Sequence, residues 1–204
     1  MVIKKKSNWF KSHNSDFFVR LSREENYRSR AAYKLIELEK KFSLISKSEN
    51  VIDLGSAPGS WLQVLTNFAN LKHIIGIDRL EVAEVHNVDV FQCDITKSSE
   101  VREFFSKYNF KADLVLSDIA PNISGIADVD QANFVEITEH VIEICSITLK
   151  IKGNLIIKQF SGVRISDIKQ LLLRYFTRVE VYKPDSSKKN SSELYFVCID
   201  FKDC

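Results

Sequence analysis

The sequence predicts an α/β domain: an open, mostly parallel sheet of seven strands with helices on both faces, the last strand antiparallel. Three observations carry this. Short apolar runs recur along the chain at VIDL (51–54), HIIGID (73–78), VDVFQCD (88–94), ADLVLSD (112–118), GNLIIKQF (153–160), RVEVYK (178–183) and ELYFVCIDF (193–201). Segments with helical periodicity separate most of them, and strands that alternate with helices make a parallel sheet. The last two runs are separated only by the polar stretch KPDSSKKNSS, which suits a hairpin and reverses the seventh strand.

The bulk properties agree with one globular domain. The chain has 204 residues, 45% apolar and 27% charged, the composition of a soluble fold. At this length about 70% of the unfolded surface can be buried without metals or disulfides. No apolar run approaches the roughly 18 residues that a membrane span requires, and MVIKKKSNWF lacks the apolar stretch of a secretory signal. A cytoplasmic protein that does not enter membranes is expected. Cys93, Cys145 and Cys198 sit in apolar runs, and none pairs with another or with Cys204 as CxxC. Reduced buried thiols are expected, and no metal site.

Charge is uneven. Residues 1–34 hold nine Lys/Arg against three acids, +6, and the remaining 170 residues hold twenty against twenty-four, −4. Residues 1–26 read as a basic N-terminal arm and residues 27–204 as a single domain. Charge alone fits either a polyanion partner or a solvated tail.

The elements follow in order. Ser29 is placed to cap a helix over about 30–42, whose apolar positions Ala32, Leu35, Ile36, Leu38 and Phe42 keep a helical period. After the first run, GSAPGS leads into a helical WLQVLTNFA. Further helices are expected over 97–108, 131–150 and 164–176, with IAPNISGIADVD as a polar loop before the second of these.

An open sheet of this kind binds its ligand at the carboxyl ends of the strands, where the strand order reverses. Those ends carry the informative residues. In VIDLGSAPGSW, Gly55 and Gly59 follow the first strand and precede a helix. Glycine permits positive φ and close approach of the backbone to a ligand. The spacing is GxxxG, neither the dinucleotide GxGxxG nor a P-loop, and Asp-x-Gly-x-x-x-Gly is more typical of S-adenosylmethionine sites. The first four strands each end at an aspartate: Asp53, Asp78, Asp94 and Asp118. Asp78 is placed to take both ribose hydroxyls of an adenosine, and Asp94 to accept from an adenine amino group. A carboxylate-lined cleft suits a sulfonium cation and rejects a pyrophosphate. That argues against a nicotinamide-dependent dehydrogenase.

The segments SRAAYKL, DLGSAPGSW, SDIAPNISG, IKQF and SSELY, in that order, resemble the FtsJ/RrmJ-type ribose 2′-O-methyltransferases. The resemblance runs from about residue 20 to 200, and APN-x-SG is closer to the ribosomal-RNA branch than to the tRNA anticodon-loop branch. It implies a Rossmann-like methyltransferase fold and a Lys-Asp-Lys-Glu catalytic tetrad, which falls on Lys34, Asp118, Lys158 and Glu193. Cofactor contacts fall on Gly59, Trp61, Asp78, Asp94 and Asp118. Ser60 stands where a second glycine often precedes the tryptophan. Taken singly, Lys34 reads as a surface charge, Lys158 as a strand-end lysine reaching solvent, and Glu193 as a solvent-facing residue.

The function implied is methyl transfer from S-adenosylmethionine to a ribose 2′-hydroxyl, of a uridine, in large-subunit ribosomal RNA by a monomer. The rivals are the same chemistry on tRNA and a non-catalytic RNA-binding module with a relic cofactor pocket. A ribose hydroxyl is a weak nucleophile until it shares its proton, and a lysine can take that proton only in its neutral form. Lys158 is the expected base, with Lys34 as a neighbouring cation and Asp118 orienting the amine.

Overall fold

The computed structural model describes residues 17–121, 124–161, 164–187 and 191–203. Seven strands form one sheet in the order β3-β2-β1-β4-β5-β7-β6. They are β1 (Asn50–Leu54), β2 (His73–Asp78), β3 (Asp89–Gln92), β4 (Ala112–Ser117), β5 (Leu149–Phe160), β6 (Phe176–Tyr182) and β7 (Glu193–Phe201). β7 is antiparallel to both β5 and β6, and the other pairings are parallel.

The burial of each strand follows its position. β4 is at the centre and all six of its residues are buried, as a strand covered on both faces must be. β3 and β6 are the edges: β3 has no buried residue and β6 only Phe176 and Val179. β7 owes its central place to the run Leu194–Cys198, every residue of which is buried.

Helices cover both faces. α1 (Ala32–Phe42) and α2 (Ser60–Leu65) lie on one, where Leu35, Leu38, Trp61, Leu62 and Leu65 pack on Val51, Leu114, Leu116, Ile156, Tyr195 and Val197. α3 (Ser98–Ser106), α4 (Ala127–Thr148) and α5 (Ile165–Tyr175) lie on the other, where Val101, Phe134, Val141, Ile168 and Leu172 pack on Ile52, Leu54, Val115, Leu155, Ile157 and Phe196. Each such side chain contributes roughly 1.5–3 kcal/mol by leaving water.

Four sequence expectations are corrected. Ser29 does not cap α1, which starts at Ala32 with Ala31 as its flanking residue. Its hydroxyl instead accepts the Ala31 N–H at 3.1 Å and bonds Ser60 Oγ at 2.8 Å, tying the starts of α1 and α2 together. α4 begins at Ala127, not 131, because the Asp130 carboxylate accepts the N–H groups of Ser124 (2.7 Å) and Gly125 (3.1 Å) and folds the preceding loop back onto the first turn. β5 begins at Leu149, before the expected 153, since a register shift between Ala112 and Leu114 and a positive φ at Lys152 let the strand continue through a bulge. Asp53 lies inside β1 and Asp94 two residues beyond β3, so only Asp78 ends its strand as expected.

Residues 17–24 are helical, and Phe18 packs against Tyr33 of α1 at a ring distance of 5.3 Å. Lys4, Lys5, Lys6, Lys11, Trp9 and Cys204 lie outside the described residues. Cys93, Cys145 and Cys198 are free thiols and buried.

Candidate active site

The strand order reverses between β1 and β4, and a cavity of about 320 Å³ opens there at the carboxyl ends of the strands. Gly55, Ala57, Asp78, Asp94, Asp118 and Pro121 are among its lining residues. A larger hollow of about 690 Å³ opens at the opposite ends of the strands, beside Phe68, His73 and His86. It contains none of the residues designated from sequence.

The cavity is shaped by the turn after β1. Gly55 has φ 78°, and a Cβ there would stand 2.5 Å from the Ile119 side chain, so only glycine lets this turn lie against the segment following β4. Asp78 holds the turn in place: Oδ2 accepts the Ala57 N–H at 2.9 Å and Oδ1 the Leu80 N–H at 2.8 Å. Each oxygen keeps lone-pair capacity for a ligand hydroxyl. Asp94 Oδ1 accepts the N–H and the hydroxyl of Thr96, at 3.0 and 2.9 Å. These bonds, with help from Arg79 and Lys97, hold its carboxyl below the usual range and therefore ionised.

Gly59 and Trp61 do not line the cavity. Gly59 has φ 103°, and a Cβ on it would meet the Arg28 guanidinium at 2.4 Å. Arg28 donates to Pro58 O (3.0 Å), Ala83 O (2.7 Å) and Glu84 O (2.7 Å), so it clamps the turn to the chain after β2. Trp61 is 3% exposed. Its Nε1 donates to Ala31 O at 2.8 Å and its ring lies 5.9 Å from that of Tyr195. These two residues support the site from behind.

The tetrad forms two ion pairs. Lys158 Nζ lies 3.0 Å from Asp118 Oδ1 and also donates to the Asp118 backbone carbonyl. Lys34 Nζ donates to Glu193 Oε1 at 2.7 Å. Both lysines are 7% exposed. Asp118 lines the cavity, so the Lys158 amine is held against a cavity wall. Arg30 adds a guanidinium within electrostatic reach of Glu193.

Two participants carry no designation in the sequence, Tyr195 and Arg28, and a third, Asp53, lies deeper than its motif suggests. Tyr195 Oη donates to Asp118 Oδ1 at 2.7 Å, so this oxygen receives both a phenol and an ammonium. Burial, reinforced by the Asp118 and Glu193 charges, pushes the Tyr195 phenol far above its ordinary titration, which keeps it a donor. The signal was present: Tyr195 is two residues from Glu193 and therefore on the same face of β7. Arg28 enters the sequence analysis only through the charge count of residues 1–34. The sequence places Asp53 with the acids at the cleft edge, but it is fully buried beneath it. Burial, then the Asp118 and Asp78 charges, raises its carboxyl well above the usual range.

This arrangement fits S-adenosylmethionine. Asp78, Asp94 and Asp118 present carboxylates around one cavity, and the positive-φ turn at Gly55 brings backbone close to it.

Comparison with known proteins assigns the family. The FtsJ-like methyltransferase profile matches residues 27–201. A Zymomonas mobilis protein named ribosomal RNA large subunit methyltransferase E is 38% identical over 194 residues, covering 95% of this chain and 88% of its own. The Methanobrevibacter smithii protein of the same name is 37% identical over 199 residues, covering 96% and 95%. A crystal structure of a Plasmodium falciparum protein described as a ribosomal RNA methyltransferase superposes with a TM-score of 0.74 at 34% identity, over 86% of this chain and 98% of that one. From the turn at Gly55 to the paired lysines, this chain belongs to the FtsJ-like methyltransferase family.

Proposed function

We propose that this methyltransferase moves a methyl group from S-adenosylmethionine to the 2′-hydroxyl of a ribose, that of a uridine, in large-subunit ribosomal RNA. The observation that carries the reading is the Lys158–Asp118–Tyr195 cluster on the cavity wall, with Lys34 and Glu193 paired on the neighbouring elements.

Asp78 and Asp94 would hold the adenosine part through ribose and adenine donors, and Asp118 would complete the acidic wall. Gly59 and Trp61 would support that wall through the Arg28 clamp and the contact with Tyr195. Bound there, S-adenosylmethionine would supply an electrophilic methyl on a sulfonium.

Lys158 acts as the base in its neutral form, after the ammonium that pairs with Asp118 has given its proton to solvent. Its amine receives the 2′-hydroxyl proton while Asp118, fixed by Tyr195, keeps the amine aimed and stabilises the ammonium that forms. Lys34 adds a cation beside the developing alkoxide, and Glu193 holds that lysine in place. Alignment of the two reactants supplies several kcal/mol of the roughly 7–11 kcal/mol available from proximity.

The curated relatives are named for the large-subunit RNA, which supports that substrate. The basic arm and the exposed Phe17, over which Arg20 lies at 5.9 Å, supply charge and a stacking face for RNA. In this proposal the chain acts as a monomer in the cytoplasm. Among the described residues, no helix is long and apolar enough to cross a membrane.

The test is methyl transfer from labelled S-adenosylmethionine to isolated large subunits, free ribosomal RNA and tRNA in parallel. Label in the large-subunit RNA is expected. Label confined to tRNA would transfer the chemistry to the rival substrate. No transfer to any RNA, with S-adenosylmethionine bound, would leave a binding module.

A further inference from the structure

Asp53 is the only carboxylate with no exposure among the described residues, and neither of its oxygens has a hydrogen-bond partner. A buried polar atom without a partner costs stability, a buried charge without one much more. Ser56 Oγ, 3% exposed, is also unpartnered. It lies on the same side: Asp53 is in register with Gly76 on β2, and a Cβ at Gly76 would stand 3.0 Å from Ser56 Oγ.

The groups around Asp53 leave it without a counter-charge. Asp78 faces it from the end of β2 and Asp118 from the end of β4. Lys158 of β5 is engaged with Asp118, and Tyr195 of β7 donates to Asp118. Lys34 of α1 is engaged with Glu193 of β7. A carboxyl in this position is uncharged until a cation arrives nearby.

Asp78 and Asp118 both line the cavity, so a cation bound there acts on all three acids. The methyl donor carries a sulfonium and an ammonium. When the methyl leaves, the C–S electron pair stays on sulfur and the product is a neutral thioether. Donor and product therefore differ by one positive charge at the reacting centre.

This inference rests on the S-adenosylmethionine reading above. We propose that Asp53 is protonated in the ligand-free protein and gives its proton to solvent when the positively charged methyl donor binds, so that donor binding releases more protons than binding of the neutral product. Asp53 is then a specificity residue: it favours the charged donor over the spent cofactor, and this preference grows as pH rises. The sign follows from linkage. The ligand-free protein holds the extra proton, so raising pH favours the donor-bound state.

The test is calorimetry on the full chain with S-adenosylmethionine and, separately, S-adenosylhomocysteine, in buffers of different ionisation enthalpy. For the donor, the apparent enthalpy should vary with the buffer, with a slope approaching one proton released. The slope for S-adenosylhomocysteine should be less than about half of that. Asp53→Asn should bring the donor slope down to the product level and narrow the ratio of the two dissociation constants. Equal slopes for the two ligands in the wild type would overturn the proposal, as would an undiminished donor slope in Asp53→Asn. If the variant does not fold, the wild type still decides. Donor affinity that rises with pH, by up to about tenfold per unit, against a flatter product curve supports the proposal, and parallel curves overturn it. Failure of both ligands to bind would overturn the cofactor reading, and this inference with it.

Discussion

Replacing Lys158 separates charge from basicity. Its amine lies 3.0 Å from Asp118 Oδ1, with the two side chains only 7% and 18% exposed. Lys158→Ala removes the partner of a largely buried carboxylate, which costs about 3–5 kcal/mol in comparable buried pairs. The Tyr195 bond to the same oxygen remains and places the expected loss at the lower end of that range. Lys158→Arg keeps the cation, and with it most of the stability, but arginine does not deprotonate in a protein. A base contributes roughly 10²–10⁴-fold to rate. The account therefore expects Ala to lose both stability and rate, and Arg to lose rate by at least about 10²-fold while its melting temperature stays near wild type. The assay is the single-turnover rate of methyl transfer across pH, with cofactor and RNA saturating, beside a thermal melt of each variant. In the wild type the rate should rise with pH and then level, and in both variants that rise should vanish. An arginine variant within a few-fold of wild type would refute the base and leave alignment as the source of catalysis.

Three further outcomes are expected. Asp78→Ala removes two acceptors for the ribose hydroxyls, each worth roughly 1.5–3 kcal/mol when charged. S-adenosylmethionine affinity should then fall at least about tenfold by calorimetry, and unchanged affinity would remove Asp78 from the site. Asp113 accepts the Glu49 and Asn50 N–H groups, both at 2.8 Å, and pairs with Lys150. Burial opposes its ionisation, but these partners prevail and hold its carboxyl below the usual range. Its contribution is present above the unfolded-state value and lost as pH falls through the folded one. Asp113→Ala should cost about 1–3 kcal/mol near neutral pH, with a smaller deficit in acid, read by chemical denaturation at several pH values. Deleting residues 1–20 removes five Lys/Arg. RNA affinity should then depend less steeply on salt while cofactor binding survives, and an unchanged slope would make the segment a tail.

Much of the fold was legible because the chain alternates so regularly. Each central strand is a short apolar run, as burial on both faces demands, and the missing helix before residue 193 was enough to reverse β7. Helix and strand ends were less legible. The start of α4 depends on Asp130 reaching back to the Ser124 and Gly125 amides, and the start of β5 on a bulge at Lys152. Neither leaves a periodic signal. In the site, the ends of the apolar runs pointed to Asp78, Asp94 and Asp118, which all line the cavity although only Asp78 ends its strand, and the lysines needed the motif order. Depth was what the sequence did not carry. Asp53 read like the other acids, yet it lies inside β1, one residue before the strand's end, and is fully buried. Trp61 and Gly59 read as cofactor contacts; neither lines the cavity, and their neighbours are the Tyr195 ring and the Arg28 guanidinium.

The most direct measurement of the central claim is the chemical position of the transferred methyl. Large subunits lacking the modification would be treated with the protein and labelled S-adenosylmethionine, and their RNA hydrolysed in alkali. A 2′-O-methyl removes the hydroxyl that attacks the adjacent phosphate, so the labelled linkage survives as a dinucleotide. The account expects the label in alkali-stable dinucleotides from the large-subunit RNA, formed at least about 10²-fold more slowly with Lys158→Ala. Label recovered in mononucleotides carrying a methylated base would contradict it.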